Sequence, residues 1–452
     1  MHQAPIQCAR VAALDRGFNT HFSSYSPYVQ HLTKLAYAPE MFVTEEWKYL
    51  VDVCLDGGSS RELRKCVSLK ELREVGAFFT GRSLARHIVR SLCKNDKPNL
   101  FFFDPACGAG DLLLEVARYF PLCPTLDRTI NVWGRRLAGC EKIIEFVQVA
   151  KLRLLLLAMT RHGLTNDKHC SIAMRANFPQ ITCSDGLEEV MRYRNADIIL
   201  MNPPFTMIGG KAEYPWTSGR INMAAIFVHR ALALVQEGTR INAILPDVLR
   251  SGSRYANWRV HIERHADLLA VRPYGLFDRW TDVDVFIVAL EKRTDKGTVG
   301  LSGGWNYPSK SEKLVSDYFH VHVGPVVPHR HKDGGPILPY LHARGLPQWT
   351  SLKENMDRRN FQGTTYAAPF VAVRRTSRPG DKKRAVGCII SGDQRVAVEN
   401  HLIVLVPHDG SLKTCKQLLE RLKCDKTDSW LDKRIRCRHL TVKALADLPW
   451  WE

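Results

Sequence analysis

From Gly76 to about Leu290 the chain alternates short apolar runs with amphipathic stretches, and this alternation limits its fold more than any other feature. Candidate strands are Leu100–Phe103, Arg136–Cys140, Gln180–Cys183, Asp197–Met201, Arg240–Leu245, Asp267–Val271 and Asp284–Leu290. Candidate helices fill Asp111–Tyr119, Lys142–Met159, Asn222–Gln236 and Arg254–His265. Strands separated by helices imply crossover connections, hence a mostly parallel, doubly wound α/β sheet of the Rossmann-like kind. Such sheets gather ligands at the carboxyl ends of their strands. The residues just after each strand are therefore the candidates for chemistry.

The first of these lies in Leu100-Phe-Phe-Phe-Asp-Pro-Ala-Cys-Gly-Ala-Gly-Asp111, a buried strand running into a tight turn and then a helix. Gly108 and Gly110 permit positive φ and a close approach of backbone to ligand. The helix that follows offers free N–H groups. A phosphate site favours GxGxxG, or Lys-Ser/Thr after the glycines. Here Asp104 and Asp111 flank the turn around Ala106 instead. Two carboxylates repel phosphates and suit a ligand carrying an ammonium and a sulfonium, which favours S-adenosylmethionine over NAD or ATP. The second strand leads to Glu141. That acid either accepts from both ribose hydroxyls or is an ordinary acid of a helix first turn. The third leads to Asp185, which either accepts from an adenine amine or caps the next helix.

Ala196-Asp-Ile-Ile-Leu-Met-Asn-Pro-Pro-Phe205 is the most specific signal in the chain. A buried strand delivers Asn202, and Pro203 and Pro204 stiffen the exit. The Asn202 amide oxygen and the Pro203 carbonyl are two acceptors for one amine. Together they draw an amine lone pair out of conjugation and raise its nucleophilicity toward a methylsulfonium held in line. Phe205 offers a face on which an extruded base can stack. The plainer alternative is a strand ending in a Pro-Pro turn with a core Phe.

Asp104–Gly110 with Asn202–Phe205 resembles the N6-adenine DNA methyltransferases of restriction–modification systems, types II and I. The order of the two motifs is that of the gamma group. Val75-Gly-Ala-Phe-Phe-Thr-Gly81 is similar to a Gly-x-Phe-Phe-Thr-Pro segment of that group, which implies that Phe79 and Thr80 contact the cofactor. Gly81 stands where that group carries Pro, which leaves the loop freer. The resemblance covers roughly Gly76 to Lys292. It implies transfer of a methyl group from S-adenosylmethionine to the N6 amine of a flipped-out adenine, with no metal required. Three alternatives stay open: a cytosine-N4 or RNA amine methyltransferase, a glutamine methyltransferase, or a non-catalytic DNA-recognition subunit.

The expected domains are a mostly helical segment 1–75, a catalytic domain 76–295 and an α+β target-recognition domain 296–452. Gly and Pro cluster across 295–340, marking the second boundary. In the last block Phe370–Val373 and Leu402–Val406 read as strands, and Leu412, Cys415, Leu418, Leu419 and Leu422 as one helix face. Its basic stretch supplies Arg374, Arg375, Arg378, Lys382, Lys383 and Arg384 as DNA contacts. A solvated basic loop is the alternative. The formal charge of +18 on 452 residues also favours a polyanionic partner, double-stranded DNA. The resemblance further implies a separate restriction endonuclease or a defence complex as partner.

Thirteen scattered cysteines without CxxC pairs favour the reducing cytoplasm. Neither a signal peptide nor a membrane span is expected. His320, His322, His329 and His331 have no carboxylate or cysteine at ligand spacing, so no metal is expected there.

Overall fold

The computed structural model describes residues 22–37, 44–90, 92, 99–163, 178–209, 214, 216, 219–293, 303–305, 311–330, 334–354 and 356–451. The chain divides into two compact units, Met1–Pro246 with Asn257–Gly300, and Asp247–Ala256 with Leu301–Glu452. Part of the Gly/Pro-rich boundary, 294–302, 306–310 and 331–333, lies outside the described residues, and His331 with it.

In the first unit seven strands make one sheet: β1 (Phe102–Asp104), β2 (Leu137–Glu141), β3 (Ile181–Cys183), β4 (Ile198–Met201), β5 (Arg240–Pro246), β6 (Ala266–Leu276) and β7 (Asp284–Lys292). Their spatial order is β3-β2-β1-β4-β5-β7-β6. The first five are mutually parallel. β7 runs antiparallel between β5 and β6. The expected strands recur with ends shifted, and β6 alone runs much further, to Leu276. Pro273 and Gly275 look like terminators, yet register shifts at Leu268/Ala270 and Pro273/Gly275 absorb them as bulges. From β1 the chain builds outward to β2 on one side and later returns to β4 on the other. The crevice at the carboxyl ends of β1 and β4 is thus the switch point where such sheets bind ligands.

The helix Ile144–Arg161 packs behind the sheet and is apolar almost all round: Leu154–Met159 are all buried. A helix without a polar face needs cover on both sides. The N-terminal helix Ser26–Tyr37 supplies it through Leu32 and Leu35, so the described N-terminal helices share one core with the sheet. Among the described residues no helix is long and apolar enough to cross a membrane.

The second unit has a five-stranded sheet ordered Phe319–Val323, Leu402–Pro407, Phe370–Arg374, Gly387–Ile390, Ser351–Leu352. Alternate residues serve opposite faces. Val371, Val373, Ile403 and Leu405 meet the helices Leu412–Lys423 and Asp425–Arg434. Phe370, Ala372, Leu402 and Val404 meet Leu341, Val396 and Val398 of a four-stranded sheet. Of the expected helix face Cys415, Leu418, Leu419 and Leu422 are buried, whereas Leu412, the first helical residue, is exposed.

Candidate active site

A cavity of about 400 Å³ opens at the carboxyl ends of the parallel strands. Of the residues the sequence singles out, Phe79, Ala106, Gly108, Glu141, Asp185, Asn202 and Pro204 line it. The two motifs, far apart in sequence, therefore face one space.

The glycine turn after β1 is braced by backbone bonds, Cys107 N–H to the Cys140 carbonyl at 2.9 Å and Gly110 N–H to the Cys107 carbonyl at 2.8 Å. Gly108 sits at φ +51, and a Cβ there would press on the Phe79 ring at 3.1 Å. The Phe79 ring in turn packs edge-on against Phe146, centroids 4.9 Å apart.

Asp104 lies under the turn, 1% exposed, and its Oδ1 accepts from Ala106 N–H at 3.0 Å. Burial, with the carboxylates of Glu141 and Asp111 nearby, pushes its pKa up to about 8. Glu141 accepts from Gly108 N–H at 3.1 Å and from Ile143 N–H at 3.0 Å. Burial raises its pKa as well. Asp185 accepts from Leu187 N–H at 3.0 Å through Oδ1 and pairs with Lys142 Nζ at 2.8 Å through Oδ2.

Asp111 does not line the cavity, and both its oxygens are engaged. Oδ1 pairs with Arg153 Nη1 at 2.8 Å and Oδ2 accepts from Gly81 N–H at 2.9 Å. Arg153, 1% exposed, also donates to the carbonyls of Ala109 at 2.6 Å and Cys54 at 3.0 Å. Gly110 caps the following helix at φ +81.

Asn202 follows β4 directly. Its amide nitrogen donates to the Phe78 carbonyl at 3.3 Å and to Thr80 Oγ1 at 3.1 Å. A carbonyl accepts only, so this fixes which way the amide points. Its Oδ1 has no partner among the described residues. Thr80 thus reaches the site through Asn202 and not as a wall of the cavity. Pro203 is buried. Phe205 is half-buried outside the cavity lining, its ring edge-on to Phe277 with centroids 5.9 Å apart.

Sequence reasoning missed Phe146, Lys142, Met207, Met223 and Phe227, which also line the cavity. Phe146 and Phe227 read as ordinary helix core. Lys142 was visible beside Glu141 in the sequence, and only the fold brings it to Asp185. Among the described residues no three or more His, Cys, Asp or Glu side chains are grouped to hold a metal.

In the second unit the basic stretch is partly spent internally. Lys383 pairs with Asp425 at 2.6 Å and Asp428 at 3.1 Å. Arg384 is 1% exposed and bonds Ser377 and Asp432. Arg374 donates to the Leu346 carbonyl at 2.8 Å and Arg375 to the Asn400 carbonyl at 3.3 Å. Arg374, Lys382, Lys383, Arg384 and Asp381 line a recess of about 550 Å³. Asp425, Asp428 and Asp432 pair with two of these cations, Lys383 and Arg384, and Asp381 Oδ2 accepts from Arg378 N–H at 2.7 Å. Arg378 and Lys382 are exposed.

An acid-lined cavity at the switch point, with a glycine turn on one side and an Asn-Pro-Pro corner on the other, defines a mixed α/β methyltransferase-like domain. The N-6 DNA Methylase family model matches residues 65–304, and the chain belongs to that family. Among solved structures the chain is similar to a modification subunit assigned to a type I restriction enzyme of Vibrio vulnificus YJ016. The identity is 21% over 52% of this chain and 49% of that one, with a TM-score of 0.37. It is similar also to the M protein of the type I restriction enzyme EcoKI, 18% identical over 61% of this chain and 64% of that one, TM-score 0.36. The type IIG restriction endonuclease BpuSI is 14% identical over 88% of this chain and 60% of that one, TM-score 0.44. The chain spans about half the length of the Vibrio subunit. No curated protein matches it in sequence.

Proposed function

We propose that the chain transfers a methyl group from S-adenosylmethionine to the N6 amine of an adenine flipped out of DNA, as a gamma-type enzyme of restriction–modification or phage defence. The observation that carries this reading is the Asn202 amide. Two donated bonds pin its nitrogen to Phe78 and Thr80, which leaves Oδ1 unpartnered in the wall of the cavity.

The residues fit the cofactor. Glu141 and Asp185 are carboxylates on the cavity wall, suited to ribose hydroxyls and to an adenine amine. Gly108 leaves bare backbone there, where a side chain would collide with Phe79. Ala106 and Phe79 complete an apolar flank. When bound, S-adenosylmethionine supplies a methyl group on an electrophilic sulfur. The chain's own part is orientation. Asn202 Oδ1 accepts from one amine N–H and the Pro203 carbonyl from the other, so the nitrogen lone pair turns toward the methyl group. The Asn202 amide is held in advance by its two donated bonds, which removes reorganisation from the barrier. Pro204 stiffens the corner, and Phe205 steadies the flipped base from its seat on Phe277.

The second unit chooses the DNA sequence in this reading, with Arg378 and Lys382 as its exposed cations beside Arg374 and Arg375. A cytoplasmic setting and a partner nuclease follow from the restriction–modification context. The test is to incubate the chain with labelled S-adenosylmethionine and either DNA or RNA, then digest to nucleosides for mass spectrometry. N6-methyladenine from DNA is expected. N4-methylcytosine, or label in RNA alone, overturns the assignment.

A further inference from the structure

We propose that the turn carrying Trp280, with the arginines around it, is a ledge that grips the phosphodiester backbone of the DNA strand bearing the target base. This rests on reading the cavity as the methyl-transfer site. It adds a DNA contact within the catalytic unit, apart from the second unit's basic stretch.

The placement follows from topology. β6 is antiparallel to β7, and β7 to β5, so the 277–283 turn lies at the carboxyl end of the parallel strands. One ring contact and one hydrogen bond fasten it to the rim of the cavity. Phe277 packs on Phe205 of the Asn-Pro-Pro-Phe corner. Arg73 Nη2 donates to the Trp280 carbonyl at 2.7 Å, and Arg73 precedes Glu74–Phe79, which line the cavity.

The chemistry of the turn is cationic. The Arg279 guanidinium lies 4.6 Å from the Trp280 ring centroid and that of Arg64 lies 5.7 Å from it. Burial lowers the Arg64 pKa; Asp278 works against that shift, while the charges of Arg279 and Arg61 add to it. The four guanidiniums of Arg61, Arg64, Arg73 and Arg279 outnumber the two carboxylates of the turn, Asp278 and Asp282. Asp278 Oδ1 already accepts from the N–H groups of Trp280 at 2.8 Å and Thr281 at 2.7 Å. A guanidinium stacked on an indole keeps its in-plane N–H edge available, and that edge matches two phosphate oxygens. An excess of like charge held together costs stability unless a further anion joins it. Arg61, Arg73 and Arg279 are exposed, on a surface and not in an enclosed pocket. An extended polyanion therefore fits better than a small anion. The strand whose base enters the adjoining cavity brings its phosphates to this place.

The test compares the full chain with Arg64→Gln/Arg279→Gln and with Arg64→Lys/Arg279→Lys. The probe is a mixed-sequence DNA duplex titrated at increasing potassium chloride. Loss of two phosphate contacts should make the slope of log affinity against log salt shallower by about 2 for the Gln pair. The Lys pair should keep the wild-type slope. S-adenosylmethionine affinity should not move, and the melting temperature of the Gln pair should not fall. Should the double variant fail to fold, Arg279→Gln alone, at an exposed site, should flatten the slope by about 1. A wild-type slope in the Gln variants, with methylation of DNA intact, overturns the ledge and leaves the proposed function standing. A wild-type chain that neither binds nor methylates duplex DNA overturns both. Equal flattening on a single-stranded RNA probe bound more tightly than DNA overturns the choice of partner.

Discussion

Gly81 donates its backbone N–H to Oδ2 of Asp111 at 2.9 Å, and this bond joins the Phe-Phe-Thr segment to the helix that follows the glycine turn. Gly81 adopts φ +67 and ψ 155, a region nearly restricted to glycine. Proline, which stands here in the family the segment resembles, has neither the N–H nor the φ. Gly81→Pro should therefore strand a half-buried acceptor, at about 1 kcal/mol, and shift Thr80 and Phe79. S-adenosylmethionine affinity, read by calorimetry, is expected to fall about fivefold, by the factor of ten per 1.4 kcal/mol. Gly81→Ala keeps the N–H and should lose less. Unchanged affinity in Gly81→Pro would show that the bond does not matter to the site.

Asp104 predicts a pH dependence of stability. Its folded-state pKa is raised to about 8, above its ordinary value of 3.8. The neutral carboxyl is the form the fold prefers. Its contribution is complete below the unfolded pKa and is lost as pH rises through about 8, at up to about 1.4 kcal/mol per pH unit. Wild-type urea midpoints should drop between pH 6 and pH 9. Asp104→Asn, neutral throughout, should drop less. Parallel curves for the two proteins would remove Asp104 as the source.

Thr80→Val tests how Asn202 is held. Valine keeps the shape and deletes the oxygen that accepts from the Asn202 amide at 3.1 Å. The amide then retains the Phe78 carbonyl alone, at 3.3 Å. The turnover number should fall about tenfold, roughly 1.4 kcal/mol of barrier, while cofactor affinity changes little. Thr80→Ser should restore it. Asn202→Ala should abolish transfer and leave cofactor binding largely intact. Full turnover in Asn202→Ala would end the role given to that residue.

These residues also show what the sequence could say. Strand–helix alternation made the sheet readable, because period and turn signals are local. Gly108, Asn202 and Asp185 were readable because each lies within a few residues of a strand's carboxyl end. Asp111 looked like a ligand by its place beside the glycines. Its partners, Arg153 and Gly81, come from a distant helix and from the segment before β1, so only the folded chain reveals the ion pair. Phe205 looked like a stacking face, and Phe277 against it directly follows β6's bulged extension, which Pro273 and Gly275 hid. The basic run of the second unit was legible as charge, not as pairing. Asp425, Asp428 and Asp432, which engage Lys383 and Arg384, lie some forty residues on in another element.

That pairing separates two arginine and lysine roles that composition cannot. Arg384 is 1% exposed and holds Ser377, Asp432 and the Ile435 carbonyl. Removing Arg384 leaves Ser377 and the Ile435 carbonyl buried without their donor, at about 1–3 kcal/mol. Arg384→Ala should therefore lower the melting temperature of the full chain's second unit, and any loss of DNA affinity should follow from unfolding. Lys382 is exposed. Lys382→Ala should change stability by less than about 0.5 kcal/mol and flatten the salt slope of DNA binding by about 1. Calorimetric melting paired with a salt titration reads both quantities on each variant. A stable Arg384→Ala protein with a flattened salt slope would reverse the assignment, placing that guanidinium on DNA and not in the core.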